Sequence, residues 1–126
     1  MKNRFFLQAG CLIAGLSVAL GAFGAHAFKD SLEAIGRVDT YETAARYQFF
    51  GGIALLIVGI LSATYSHKSI TWAGYLFLVG TIIFSGSLYL ICATGVTLWG
   101  AVAPVGGLSL ILGWASLCWG ISTKKA

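Results

Sequence analysis

Charge is what this chain lacks most. Only 10% of its 126 residues are Asp, Glu, Lys or Arg, with four acids against eight Lys and Arg, where soluble domains carry about 25% charged residues. That scarcity argues against an ordinary soluble enzyme core. Disorder is excluded by the opposite excess, since 58% of the residues are hydrophobic and the mean hydropathy is +0.87. Proline occurs once, at Pro104, so little interrupts helices. The three cysteines, Cys11, Cys92 and Cys118, form no Cys-x-x-Cys and lie inside apolar runs. They read as small buried hydrophobes, and no short-spaced ligand set implies a metal or any other cofactor. The positive charges are scattered singly, which gives nucleic acid nothing to bind.

What remains is long apolar runs. Four windows, about 6–27, 47–65, 72–93 and 99–121, contain no charged interior residue. Each approaches the ~20 residues needed to cross the hydrocarbon of a bilayer. They are continuous rather than alternating, which favours helices over a barrel. The expected fold is an all-α membrane protein, a single domain built as a bundle of four transmembrane helices. Lys2, Arg4 and the Ala25-His26-Ala27 triplet imitate a signal peptide, but the apolar stretch after Arg4 is a full span, so an uncleaved first helix is expected.

Four spans place both termini and the 66–71 turn on one side. That side holds Lys2, Arg4, Lys68, Lys124 and Lys125 and no acid, whereas the other side has three positives and all four acids. The positive-inside rule then puts both termini in the cytoplasm. Within the outer loop 28–46, Phe28, Leu32 and Ile35 recur at helical spacing, and a short interfacial helix over Asp30–Ile35 ending at Gly36 is expected. Asp39 and Glu42 have the spacing of a capping box for the second span, starting near Thr40.

Small residues suggest the packing faces: Gly15, Ala19 and Ala22 in the first span; Gln48, Gly52, Leu55, Gly59 and Ala63 in the second; Gly106, Gly113 and Gly120, every seven residues, in the fourth. Such stripes also suit a homo-oligomer. Pro104 sits where it either begins a helix or kinks one. Polar side chains concentrate in the outer half. His26 closes the first span, Gln48 opens the second, and Thr81, Ser85 and Tyr89 share a face of the third. They serve either as hydrogen-bonding glue between helices or as a small pocket for a headgroup, a quinone-like molecule or a solute. No intramembrane carboxylate of a proton-coupled exporter and no paired cysteines of a disulfide oxidase occur within the spans.

Four segments carry a resemblance: Gly21-Ala-Phe-Gly-Ala-His26, Tyr41-Glu-Thr-Ala-Ala-Arg-Tyr-Gln48, Phe84-Ser-Gly-Ser-Leu-Tyr89 and Pro104-Val-Gly-Gly107. In order and spacing they resemble the small bacterial membrane proteins of domain-of-unknown-function family 423, to which the eukaryotic transmembrane-protein-256-like proteins also belong. The resemblance implies a four-span protein of the bacterial inner (plasma) membrane and implies no activity. Its motif falls on Gly21, Gly24, His26, Thr43, Tyr47, Gln48, Ser85, Gly86, Ser87, Tyr89, Pro104 and Gly107. The family typically has His three residues beyond the glutamine, where this chain has Gly51.

The candidate binding residues are therefore His26, Tyr47, Gln48, Ser85, Ser87, Tyr89 and Pro104. The expected function is a non-enzymatic membrane protein, either an accessory subunit of a larger membrane complex or a bundle that binds lipid or a small molecule. The alternative is a small oligomeric transporter or channel, and a membrane enzyme ranks third.

Overall fold

The computed structural model describes residues 2–123, with Lys2 as backbone only. The side chain of Lys2, and Lys124 and Lys125 altogether, lie outside the described residues. Among these residues the secondary structure is entirely helical: α1 (Lys2–Ala25), α2 (Lys29–Ala34), α3 (Val38–Leu61), α4 (Lys68–Thr94), a 3-10 helix (Thr97–Ala101) and α5 (Ala103–Ile121). The four long helices are apolar and long enough to cross a membrane, the last counted together with the 3-10 segment.

Glycine ends two of these helices where the sequence provides it. Gly36 adopts φ +66°, with its N–H bonded to the Glu33 carbonyl and that of Arg37 to the Leu32 carbonyl. This Schellman closure stops α2 and lets the chain re-enter as α3. Gly95 ends α4 at φ +71° by the simpler left-handed cap, with one bond from its N–H to the Ile91 carbonyl. The expected capping box is not formed. α3 starts at Val38, which puts Asp39 inside the first turn, and Arg37 in the cap position makes no side-chain bond. An acid in the first turn still favours the positive end of the helix dipole. His67 caps α4 instead, its Nδ1 accepting from the Ser69 N–H at 3.1 Å. Pro104 lies in the first turn of α5, where its missing N–H has no intrahelical acceptor to lose, so it starts the helix and does not kink it.

The helices pack in chain order. α1 lies along α3, α3 along α4 and α4 along α5, while α1 and α5 do not run side by side. Lipid tails are as apolar as the helix faces, so closing the ring gains little and the series stays open. The α1–α3 contact is backbone on backbone: a Cβ at Gly10 would stand 2.6 Å from the Gly52 carbonyl, and one at Gly52 2.7 Å from the Ala14 nitrogen. The buried stripe of α1 is Phe6, Gly10, Ala14 and Ser17. Gly15, Ala19 and Ala22 point outward instead. The heptad in α5 does face α4, with Gly106 against Phe84, Gly113 against Phe77 and Gly120 against Ile70. On α3, Gln48, Gly52, Leu55 and Gly59 are buried as expected and Ala63 is exposed beyond the helix end.

Asn3 approaches Gly59, Phe6 approaches Gly74 and Ile70 approaches Gly120, so both described chain ends meet the α3–α4 turn at one end of the molecule. This terminal end carries the apolar core of Phe6, Leu55, Val58, Ile70, Phe77 and Leu117. It is not wholly without polar side chains, because Ser116 donates to the Ser69 carbonyl at 2.7 Å. The other end holds α2 and the polar cluster.

Candidate functional site

Gln48 organises the α2 end. It is buried on α3, two turns below the polar start of that helix, and Nε2 donates to the Ile13 carbonyl of α1 at 3.0 Å. A carbonyl only accepts, so this bond fixes the amide and leaves Oε1 facing α4. There Oε1 accepts from the Tyr89 hydroxyl at 2.7 Å. One side chain thus ties three helices together. Ser85, one turn before Tyr89, donates to the Ala44 carbonyl at 2.8 Å and repeats the α4–α3 link. Tyr41 donates from α3 to the Leu20 carbonyl of α1. Its ring stacks edge-on against Tyr89 at 5.5 Å and against Phe28 at 6.4 Å.

Of the candidate residues, Gln48, Ser85 and Tyr89 come together. The others do not join them. His26 follows the last residue of α1, is exposed, and its side chain makes no hydrogen bond among the described residues. Pro104 is exposed at the start of α5. Ser87 is buried but returns its hydroxyl to Ile83 of its own helix. Tyr47 turns to the opposite side of α3, against Phe50 and Phe84. The sequence placed His26 at the end of the first span and Pro104 near the start of the fourth, but could not give their azimuth. Tyr41 is the member that site reasoning passed over. Its signal was available: a tyrosine seven residues before Gln48 occupies the same helix face two turns earlier.

Thr81 differs from its neighbours. It is 3% exposed, and its Oγ1 is the buried side-chain oxygen without a partner among the described residues. The side chain abuts Gly51, and a Cβ there would overlap it. No three His, Cys, Asp or Glu side chains gather closely enough to hold a metal among the described residues.

Two hollows flank the α3–α4 wall at this end. A cleft of about 410 Å³ lies beneath α2, bounded by Leu20, Leu32, Tyr41, Tyr89 and Cys92. Its wall is almost all carbon, because Tyr41 and Tyr89 spend their protons on Leu20 and Gln48. A groove of about 390 Å³ runs between α3 and α5 over α4, lined by aromatic rings and by Gly51 and Gly107.

The sequence matches the profile of the protein family of unknown function DUF423 over residues 20–107, the stretch that holds Tyr41, Gln48, Ser85 and Tyr89. The chain belongs to that family. It is 40% identical to a UPF0382 membrane protein of Staphylococcus haemolyticus over 122 residues, 97% of either chain. A UPF0382 membrane protein of Staphylococcus aureus is likewise 40% identical over 114 residues, covering 90% of this chain and 92% of its own. No solved structure matches. For this DUF423 protein the relatives and the four apolar helices agree on an integral membrane protein.

Proposed function

We propose that this DUF423 protein is a non-enzymatic bundle of the bacterial plasma membrane, with both termini in the cytoplasm, that holds the hydrocarbon chain of a lipid in the cleft beneath α2. The cleft carries the reading. It has the size of a small-molecule site, its lining is almost wholly apolar, and amphipathic α2 lies over it with Leu32 buried and Phe28 and Ile35 exposed. The polar cluster is the scaffold of this cleft and not its ligand, since Gln48, Ser85 and Tyr89 satisfy one another and the backbone. The transport alternative finds less support. A permeation path needs polar lining through both halves, and the terminal end is filled by Phe6, Leu55, Val58 and Phe77.

Native mass spectrometry from mild detergent tests the reading. The wild-type protein is expected to retain a lipid mass that Ser31→Trp, which fills the cleft from its exposed rim, removes. Gln48→Leu should lower stability by about 1–3 kcal/mol, by stranding the Tyr89 hydroxyl and the Ile13 carbonyl. His26→Ala should change neither property. A retained mass indifferent to Ser31→Trp, or a wild-type protein that carries none, counts against the reading.

A further inference from the structure

We infer that the hollow between the end of α1 and the first turns of α3 binds the head of an aminophospholipid, with its phosphate on Arg46 and its terminal ammonium on Glu42. This hollow shares only Leu32 and Tyr41 with the cleft beneath α2 and needs no occupant there.

Its walls differ in kind from those of the cleft and of the α3–α5 groove. It measures about 210 Å³ and is bordered by two charged side chains, Glu42 and Arg46, where the other two have none. Both charges are exposed on α3, and no ion pair joins either of them to another described residue. The facing wall is the last turn of α1, at Gly24 and Ala25. The carbonyls of these two residues accept no hydrogen bond among the described residues. A helix C-terminus is the negative pole of its dipole, so this wall favours a cation beside Glu42 and offers further acceptors for its N–H groups.

The order of the charges selects the ligand. α3 carries no further charge between Arg46 and its end at Leu61. Arg46 therefore marks the edge of the apolar span, and Glu42 stands one turn farther out. A phospholipid reaches this face with its phosphate next to the apolar span and the rest of its head beyond. Cation first and anion second is the complement of a phosphate followed by an ammonium. The two charges of a phosphoethanolamine head lie roughly 5 Å apart by bond lengths, against a rise of about 6 Å over four helical residues. A head without an amine leaves Glu42 facing a net negative ligand. A choline head has no N–H for Glu42 or the carbonyls to accept. A second copy is a poor match. Copies inserted in one direction are related by an axis along the membrane normal, which brings Glu42 to the depth of Glu42 and Arg46 to the depth of Arg46, like charge against like.

The purified protein in mild detergent is offered equal amounts of phosphatidylethanolamine, phosphatidylglycerol and phosphatidylcholine with identical acyl chains. Native mass spectrometry reads the bound lipid, in the wild type and in Ser31→Trp, which fills the cleft beneath α2. Both are expected to prefer phosphatidylethanolamine roughly two- to fivefold, the worth of one exposed charge pair. Glu42→Gln should erase the preference, and Arg46→Gln should weaken retention of all three lipids by a similar factor. Glu42→Arg combined with Arg46→Glu conserves net charge but inverts the order, and should abolish the preference. Both positions are exposed, so these changes leave the packing intact. Equal retention of the three lipids, or a preference that survives the charge exchange, overturns the inference. A preference lost in Ser31→Trp belongs to the other cleft and overturns it too. Displacement by an equal concentration of water-soluble glycerophosphoethanolamine would assign the hollow to a soluble phosphoamine. A dimer that dissociates in the charge variants would assign it to a second copy. Either result removes the lipid from this site.

Discussion

At the residue scale, the contrast between Gln48 and Thr81 sets the tone of the interior. Both are buried polar side chains between α3 and α4. Gln48 uses its donor and its acceptor and links three helices, while the Thr81 hydroxyl has no partner and lies against Gly51. A buried hydroxyl left unpaired costs about 1–3 kcal/mol, so Thr81→Ala should be nearly neutral, the lost contacts offset by the lost orphan. Gly51→Ala should destabilise by about 1–3 kcal/mol or more, because its Cβ meets the Thr81 side chain. The double variant should recover a large part of that loss. Thermal unfolding in detergent of the four proteins gives the cycle, and strictly additive effects would contradict the packing described. The same contact explains why the histidine implied by family resemblance does not suit position 51 in this chain. Thr81 already fills the space that its Cβ would need.

At the scale of the helices, close approach is set by a few glycines and not by glycine content as such. In α5, Gly106 rests on the Phe84 backbone, whereas adjacent Gly107 has only ordinary contacts at 3.7 Å. Gly106→Ala should therefore push α5 from α4 at a cost of about 1–3 kcal/mol, and Gly107→Ala should be silent. Equal sensitivity of the two positions to unfolding in mixed micelles would refute this seam. The α5 heptad was legible because three glycines at seven-residue spacing mark one face whatever surrounds them. The α1 stripe was not. Gly15, Ala19 and Ala22 are as regular as Gly10, Ala14 and Ser17, and only the second set meets a neighbour. The hydrogen bond from Ser109 to the Leu76 carbonyl, at 2.8 Å, was equally invisible. Its acceptor is backbone, which every sequence offers everywhere.

At the scale of the whole molecule, orientation and openness matter most. Arg4 and Lys68 lie at the terminal end, and Asp30, Glu33, Asp39 and Glu42 lie in α2 and the first turns of α3 at the other. Lys29, Arg37 and Arg46 also lie at that other end, so the proposed orientation, with both termini in the cytoplasm, rests on the basic residues of the two chain termini added to Arg4 and Lys68. A C-terminal green fluorescent protein fusion should fluoresce and a C-terminal alkaline phosphatase fusion should be inactive. The reverse pair of results would invert the molecule and turn both hollows toward the inner leaflet. The open series of helices leaves the α3–α5 groove uncovered by any other long helix among the described residues.

The sequence by itself determined that this chain crosses a membrane four times as helices, and where the glycine stops fall. Hydrocarbon demands about 20 apolar residues per crossing and internal satisfaction of every backbone group. Those demands are local and can be read along the chain. Only the tertiary structure decided which face of each helix turns inward, that Gln48 joins Tyr89 and Ile13, and that His26 stays apart. In water a polar face marks the outside of a helix. In lipid both faces are apolar, so hydropathy carries no azimuth, and the choice falls to shape and to hydrogen bonds that form only once the helices have met.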